Sequence, residues 1–295
     1  MSDHELAQGY EDVHDETVYA RFPLTSGPYA GTADLMIWTT TPWTLIANAL
    51  VAVGPELTYV TATDGESTLI IAEEAVEHLL GEGWTVQDRF TGAEMVGWTY
   101  QRPFEVMEQP GTAHFVVAED YVTTGEGTGL VHQAMAFGAD DYQSCKRNGI
   151  EFVNPIGPDG RFYEGGLGLV SGVFFKDADD IILENLRHRG LAFKTVVHEH
   201  AYPHCWRCHT RLLYYAQPSW YIRTTQFKDA LLRENEATNW YPETIKWGGR
   251  YGDWLKNNVD WALSRTRYWG YAAADLAQRR RPDPDRMCRI PGRTR

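Results

Sequence analysis

Seven residues, Trp38-Thr39-Thr40-Thr41-Pro42-Trp43-Thr44, concentrate hydroxyl groups in one short stretch. Each threonine hydroxyl both donates and accepts hydrogen bonds, so three in a row can serve a polar ligand. The apolar lead Leu35-Met36-Ile37 predicts a strand, on which Thr39 and Thr41 share one face and Thr40 points away. Pro42 removes a backbone N–H and ends regular pairing, which leaves polar groups available at the strand end. Taken alone, the run equally fits a Thr-rich strand with two packing tryptophans. A second stretch, Glu126-Gly-Thr-Gly-Leu-Val-His132, sets a glycine-rich turn before a histidine, and Asp140 and Asp141 follow eight and nine residues later. Those two acids also suit the positive end of a helix dipole. Cys205-Trp-Arg-Cys208 is half of a zinc site, since structural zinc takes four ligands. His200, His204 or His209 are candidates to substitute for a second pair, and a reduced, metal-free CxxC is the alternative. No Ser-His-Asp order and no cysteine nucleophile is evident.

The elements that must position these residues are short. Val18–Phe22, Leu35–Thr40, Leu50–Val53, Tyr59–Ala62 and Thr68–Ala72 read as strands, with Gly54-Pro55 between two of them. Glu73–Leu80 reads as a short helix closed by Gly81-Glu82-Gly83. Strands broken by Gly92, Gly97 and Pro103 are predicted from Trp84 to Val117. Asp140–Asn148 is predicted helical, closed by Gly149. Asp177–Arg189 is the clearest amphipathic helix, with Ile181, Ile182, Leu183 and Leu186 inward. Helices are also predicted over Phe227–Asn235 and Asp253–Ser264. Short strands separated by turn signals favour a β-barrel-like or α+β domain over alternating βα units.

With 295 residues, 43% hydrophobic and 23% charged, the chain has ample material for a core of ordinary globular composition. Its apolar runs fall far short of the ~20 residues that span a bilayer, so no membrane is expected. The first residues lack a basic or apolar signal region, and four cysteines suit a reducing cytoplasm. Net charge is −13; seven Arg against three Asp in the last 25 residues leave −17 for residues 1–270. Such an acidic body argues against broad non-specific nucleic-acid binding, though a site gripping one nucleic-acid end remains compatible.

The threonine and histidine stretches resemble the editing insert of a class I aminoacyl-tRNA synthetase, in its isoleucyl form. Valyl and leucyl members usually carry Arg in place of Thr41 and an acid where Trp43 stands. Gly9-Tyr-Glu-Asp-Val13 and Val18-Tyr-Ala-Arg-Phe-Pro-Leu24 match the start of the insert. Pro203–Cys208 and Asp260–Gly270 match the return to the nucleotide-binding domain. The resemblance implies an α+β fold, a β-barrel-like editing domain followed by a partial Rossmann-type catalytic segment. The expected division is a leader over 1–15, an editing domain over 16–197, a partial catalytic segment with the CxxC over 198–270, and a disordered tail over 271–295.

By the same resemblance, Thr39, Thr40, Thr41 and Asn48 line a hydrolytic pocket, His132 helps set its size limit, and Asp141 grips the α-ammonium of the substrate. A desolvated ammonium needs a charged acceptor, which makes an aspartate sensible there. Editing is required because one methylene in an apolar pocket is worth only ~1–3 kcal/mol, a figure established on the isoleucyl enzyme itself. The implied partners are the 3′ end of tRNA(Ile) with its valine or isoleucine ester, and a missing synthetase half. The implied reaction is water attack aided by the substrate's own hydroxyl.

Two departures are expected to loosen the pocket: Met135 where the family has Pro, and Ile46 where Pro is common. The full-length family uses ATP, but neither a His-Ile-Gly-His-type nor a Lys-Met-Ser-Lys-Ser-type motif is present, so amino-acid activation is expected to be absent. The basic, Pro-rich stretch after Gly270 reads as an altered reading frame. A zinc-dependent binding module and an inert truncated product are the competing readings.

Overall fold

The computed structural model describes residues 8–264 apart from 217, 243, 245 and 247. Two compact units divide between Ala216 and Gln217. In the first, chain order runs β1 (Tyr10–Pro23), β2 (Asp34–Thr39), a 3-10 turn (Pro42–Ala47), β3 (Leu50–Val53), β4 (Thr58–Thr63) and β5 (Thr68–Ala72). There follow α1 (Val76–Leu79), β6 (Thr85–Thr91), α2 (Gly92–Met95), β7 (Phe115–Ala118), β8 (Leu130–Gln133), α3 (Ala139–Arg147), α4 (Ala178–His188) and β9 (Ala192–Pro203). The strands form a six-stranded sheet, β6-β4-β5-β2-β1-β9, and a three-stranded sheet, β7-β3-β8. The α+β class therefore holds, while the strands pair as two sheets in place of one closed barrel.

Sheet order follows from side-chain chemistry. All four residues of β3 are buried, because its two faces meet different cores. Val51 and Val53 join the main cluster with Leu35, Ile37, Tyr59 and Ile70, whereas Leu50 and Ala52 join Val117, Met135, Cys145 and Ile150. A continuous Leu-Val-Ala-Val run is what a strand covered on both faces requires. α4 buries Ile182, Leu183 and Leu186 against the main cluster, and Ile181 is only partly covered.

Three expectations need correction. Tyr10–Asp15 is not a leader without a core: it is the first half of β1, paired with Pro203–His198 of β9, and Asp15 is buried. The division at 197 falls inside β9, a strand that sequence reading missed because His198, Glu199 and His200 interrupt its apolar pattern. Asp253–Ser264 is not one helix. In the second unit, α5 (Lys228–Ala237) and α6 (Arg250–Lys256) accompany an antiparallel pair, β10 (Tyr221–Ile222) and β11 (Trp261–Ala262). Asn257 and Asn258 are weak helix formers, and Asp260 instead accepts from the Thr225 backbone N–H at 3.0 Å. No parallel Rossmann-type strand pair occurs among the described residues of this unit. The tail over 271–295 lies outside the described residues, and no described helix is long and apolar enough to cross a membrane.

Candidate functional site

β2 ends at Thr39 and the chain bends at Thr40. Pro42, at the first turn of the 3-10 segment, has the fixed φ that such a start favours. The strand alternation stops at this bend, and Thr39, Thr40 and Thr41 all line one cavity of about 340 Å³. Thr41 donates its backbone N–H to Thr39 Oγ1 at 3.1 Å. Thr44, one turn on, donates its backbone N–H and its hydroxyl to the Thr41 carbonyl at 3.0 and 2.8 Å. The hydroxyls thus stand in a row, Thr39 to Thr41 and Thr41 to Thr44 each at 3.4 Å.

The opposite wall is delivered by strand register. β8 pairs antiparallel with β3, Val51 opposite His132, and Ala49 donates to the Gln133 carbonyl at 2.9 Å. That register sets Asn48, just before β3, beside the His132 ring. The turn ahead of β8 is tied to the six-stranded sheet: Tyr59 Oη donates to the Gly129 carbonyl at 2.6 Å, and Ala72 donates to the Thr128 carbonyl at 2.9 Å. Gly127 has φ +74°, and a Cβ there would lie 2.7 Å from the Trp38 ring, so only glycine lets this turn close over Trp38.

The tautomer of His132 follows from a chain of donors. Asn48 Nδ2 donates to the Leu50 carbonyl at 3.2 Å, an acceptor only, and Tyr100 Oη donates to Asn48 Oδ1 at 2.8 Å. Asn48 Nδ2 therefore also donates to His132 Nδ1 at 3.1 Å, and His132 Nε2–H donates to Thr44 Oγ1 at 2.8 Å. Burial lowers the imidazole to about 4, so it is neutral near pH 7. Both ring nitrogens are occupied, and His132 is a fixed wall with no lone pair left to act as a base.

Asp141, in the first turn of α3, lines the same cavity. Its Oδ2 accepts from the Ala134 N–H at 2.8 Å. Burial pushes the carboxyl up to about 6, and the neighbouring Asp140 adds to the rise. No Lys or Arg forms an ion pair with Asp141 among the described residues. A Cβ on Gly138 would come within 2.9 Å of its carboxyl carbon, so the position before α3 leaves room for it. Asp140 is exposed and does not line the cavity.

Sequence reading missed three contributors. Thr44 closes the hydroxyl row and could have been found from Pro42, which starts a turn that brings residues three apart together. Phe137 lines the cavity and packs edge-on against Trp43 at 4.7 Å. Asp179 accepts from the Trp43 backbone N–H at 2.9 Å from 136 residues away, a separation that leaves no local signal. Ile46 and Met135, the two departures from the family pattern, are both buried, one in each core cluster.

Cys205 and Cys208 lie in a turn with the second thiol exposed. Hydrogen bonds from the Thr210 hydroxyl and N–H lower the Cys208 thiol to about 7. The three histidines suggested as further zinc ligands are turned elsewhere, His200 to Asp15, His204 to the Tyr202 carbonyl and His209 to Glu11. No cluster of three or more metal-binding side chains occurs among the described residues, so the donor set here does not fit a closed tetrahedral zinc.

Residues 1–278 match the family described as tRNA synthetases class I (I, L, M and V). The chain is 64% identical to the isoleucine–tRNA ligase of Streptomyces coelicolor over 271 residues, covering 92% of this chain and 26% of that protein. It is 60% identical to that of Thermobifida fusca over 289 residues, covering 98% and 27%. The chain thus spans about a quarter of the length of these relatives. The crystal structure of GlLeuRS-CP1 superposes with a TM-score of 0.50 at 17% identity, covering 61% of this chain and 99% of that one, a likeness of fold alone. The long family match, on a chain that carries the threonine row, the histidine wall and the cavity aspartate together, makes this chain a member of the class I tRNA synthetases of the I, L, M and V group.

Proposed function

We propose that this chain hydrolyses the ester of valyl-tRNA(Ile) and spares isoleucyl-tRNA(Ile). One observation carries the reading: Asp141 is a carboxylate raised by burial, without an ion-pair partner among the described residues, and it shares a small cavity with a row of threonine hydroxyls. An α-ammonium is the group that such a carboxylate lacks, and every aminoacyl ester has one. With the ammonium on Asp141, the ester lies toward Thr39, Thr40 and Thr41, whose hydroxyls can hold a water and the terminal ribose.

His132 contributes shape. Thr44 and Asn48 hold its ring from both nitrogens, and a wall that cannot yield is what separates two side chains differing by one methylene. Because His132 has no free nitrogen, the attacking water is activated by the substrate's own neighbouring ribose hydroxyl. The full-length relatives are named isoleucine–tRNA ligases; the step proposed for this chain is the editing hydrolysis.

The test is direct. Purified chain incubated with valyl-tRNA(Ile) and isoleucyl-tRNA(Ile) should release valine at least tenfold faster. Equal rates on both, or no hydrolysis of either, would remove the proposal.

A further inference from the structure

We propose that Asp179 is a positioning residue for the size selection of the cavity, acting through the backbone of Trp43. The inference rests on the editing reading but has a physical consequence of its own.

The first turn of a helix leaves backbone N–H groups without partners. In the Pro42–Ala47 turn, Pro42 has none to offer and Thr44 uses the Thr41 carbonyl. The remaining donor, Trp43 N–H, is buried and finds Asp179 Oδ1 at 2.9 Å. The other oxygen of Asp179 takes Lys176 Nζ at 2.7 Å, and Lys176 reaches Asp15 at 3.1 Å, which Arg211 holds at 2.7 Å. The carboxylate is thereby fixed in place. What it fixes in turn faces the cavity: the Trp43 ring packs between Phe175 at 5.1 Å and Phe137 at 4.7 Å, and Phe137 lines the cavity beside Thr41 and Thr44. A second cavity of about 320 Å³ shares Thr40, Thr41, Thr44 and Phe137 and is lined by Trp43 itself. Trp43 therefore backs Phe137, a second wall of the cavity beside His132, and a backing that yields lets a larger side chain in.

The test is Asp179→Asn in the full chain. The amide keeps the shape but loses the charge and turns N–H groups toward Lys176. Hydrolysis of the isoleucyl ester relative to the valyl ester should rise about tenfold, with kcat for the valyl ester falling and KM little changed. Loss of stability alone lowers both rates together and leaves their ratio where it was. Asp179→Glu, which keeps the charge and displaces it by one methylene, should move the ratio the same way, and it decides the matter if the Asn variant does not fold. Amide hydrogen exchange provides a readout independent of activity: protection over residues 41–47 should fall at least tenfold in the variant, with β1 and β2 unchanged. If the wild-type chain is inert toward both esters, the editing reading fails and the exchange data alone decide the role of Asp179. Unchanged protection over 41–47, or a ratio within twofold of wild type in folded variants of an active chain, overturns the inference.

Discussion

Two regions of the first unit bury carboxylates, and they solve the problem differently. Around Asp15 and Asp179, charge is answered by charge: Lys176 lies between the two, and Arg211 meets Asp15 with two contacts of 2.8 and 2.7 Å. Burial opposes the ionisation of Asp15, but Arg211 and Lys176 outweigh it and lower the carboxyl below its ordinary value. Asp179 is pushed up to about 6 by burial against the pull of Lys176. Asp141 is also pushed up to about 6, yet among the described residues it has a backbone N–H and no cation. The first region is closed on itself. The second leaves its carboxylate open to a positive ligand, which in the proposed reading separates a site from a supporting network.

The comparison breaks most visibly at Asp141. Asp141→Asn should lower hydrolysis of valyl-tRNA(Ile) about a hundredfold to a thousandfold, because the ammonium loses its charged partner. The same change should stabilise the fold by about 1–3 kcal/mol near pH 8. The sign follows from the direction of the shift. A carboxyl raised in the folded state binds protons there that the unfolded chain has shed, so wild-type stability falls as pH rises from about 4 through about 6. The gain from Asn is therefore full above about pH 6 and fades toward pH 4, which thermal midpoints at the two pH values would measure.

In the closed region the balance is reversed. Lys176→Met removes the cation shared by two buried carboxylates and should destabilise the fold by about 3 kcal/mol, read by chemical denaturation. The contrast is sharp: losing the carboxylate at Asp141 should stabilise the fold, while losing the cation at Lys176, which serves Asp15 and Asp179, should destabilise it.

Much of this was legible in the sequence, for reasons that can be named. Leu50–Val53 and Thr68–Ala72 occur as read, since β-branched runs bounded by turn residues leave little choice. Thr39, Thr40, Thr41, Asn48, His132 and Asp141 are brought together, although Asn48 reaches the site mainly by holding His132. Thr40 joins its neighbours at the cavity where the strand ends and the chain bends. β9 was hidden by histidines that pair with β1 rather than by any apolar stripe. The ion network joins residues 15, 176, 179 and 211, and no spacing in the chain announces it.

Smaller effects sharpen the same contrast. Thr44→Val leaves His132 Nε2–H without its acceptor and should cost about 1–3 kcal/mol of stability. Deacylation should lose selectivity before it loses rate, because the histidine wall is freed while Asp141 is untouched. Asp140→Ala removes only an exposed charge at the start of α3, worth about 0.3–1 kcal/mol, and hydrolysis should persist. Parallel thermal melts and deacylation assays would separate Asp140 from its neighbour.

The central claim is that Asp141 holds the α-ammonium, and the measurement that tests it most directly removes the ammonium from the substrate. Valyl-tRNA(Ile) and its N-acetylated form should be offered to the wild-type chain and to Asp141→Asn. The account predicts that the wild type hydrolyses the free amine about a hundredfold faster than the acetylated ester, and that the variant treats the two alike. The same preference in both proteins would mean that Asp141 does not touch the ammonium, and would contradict the account.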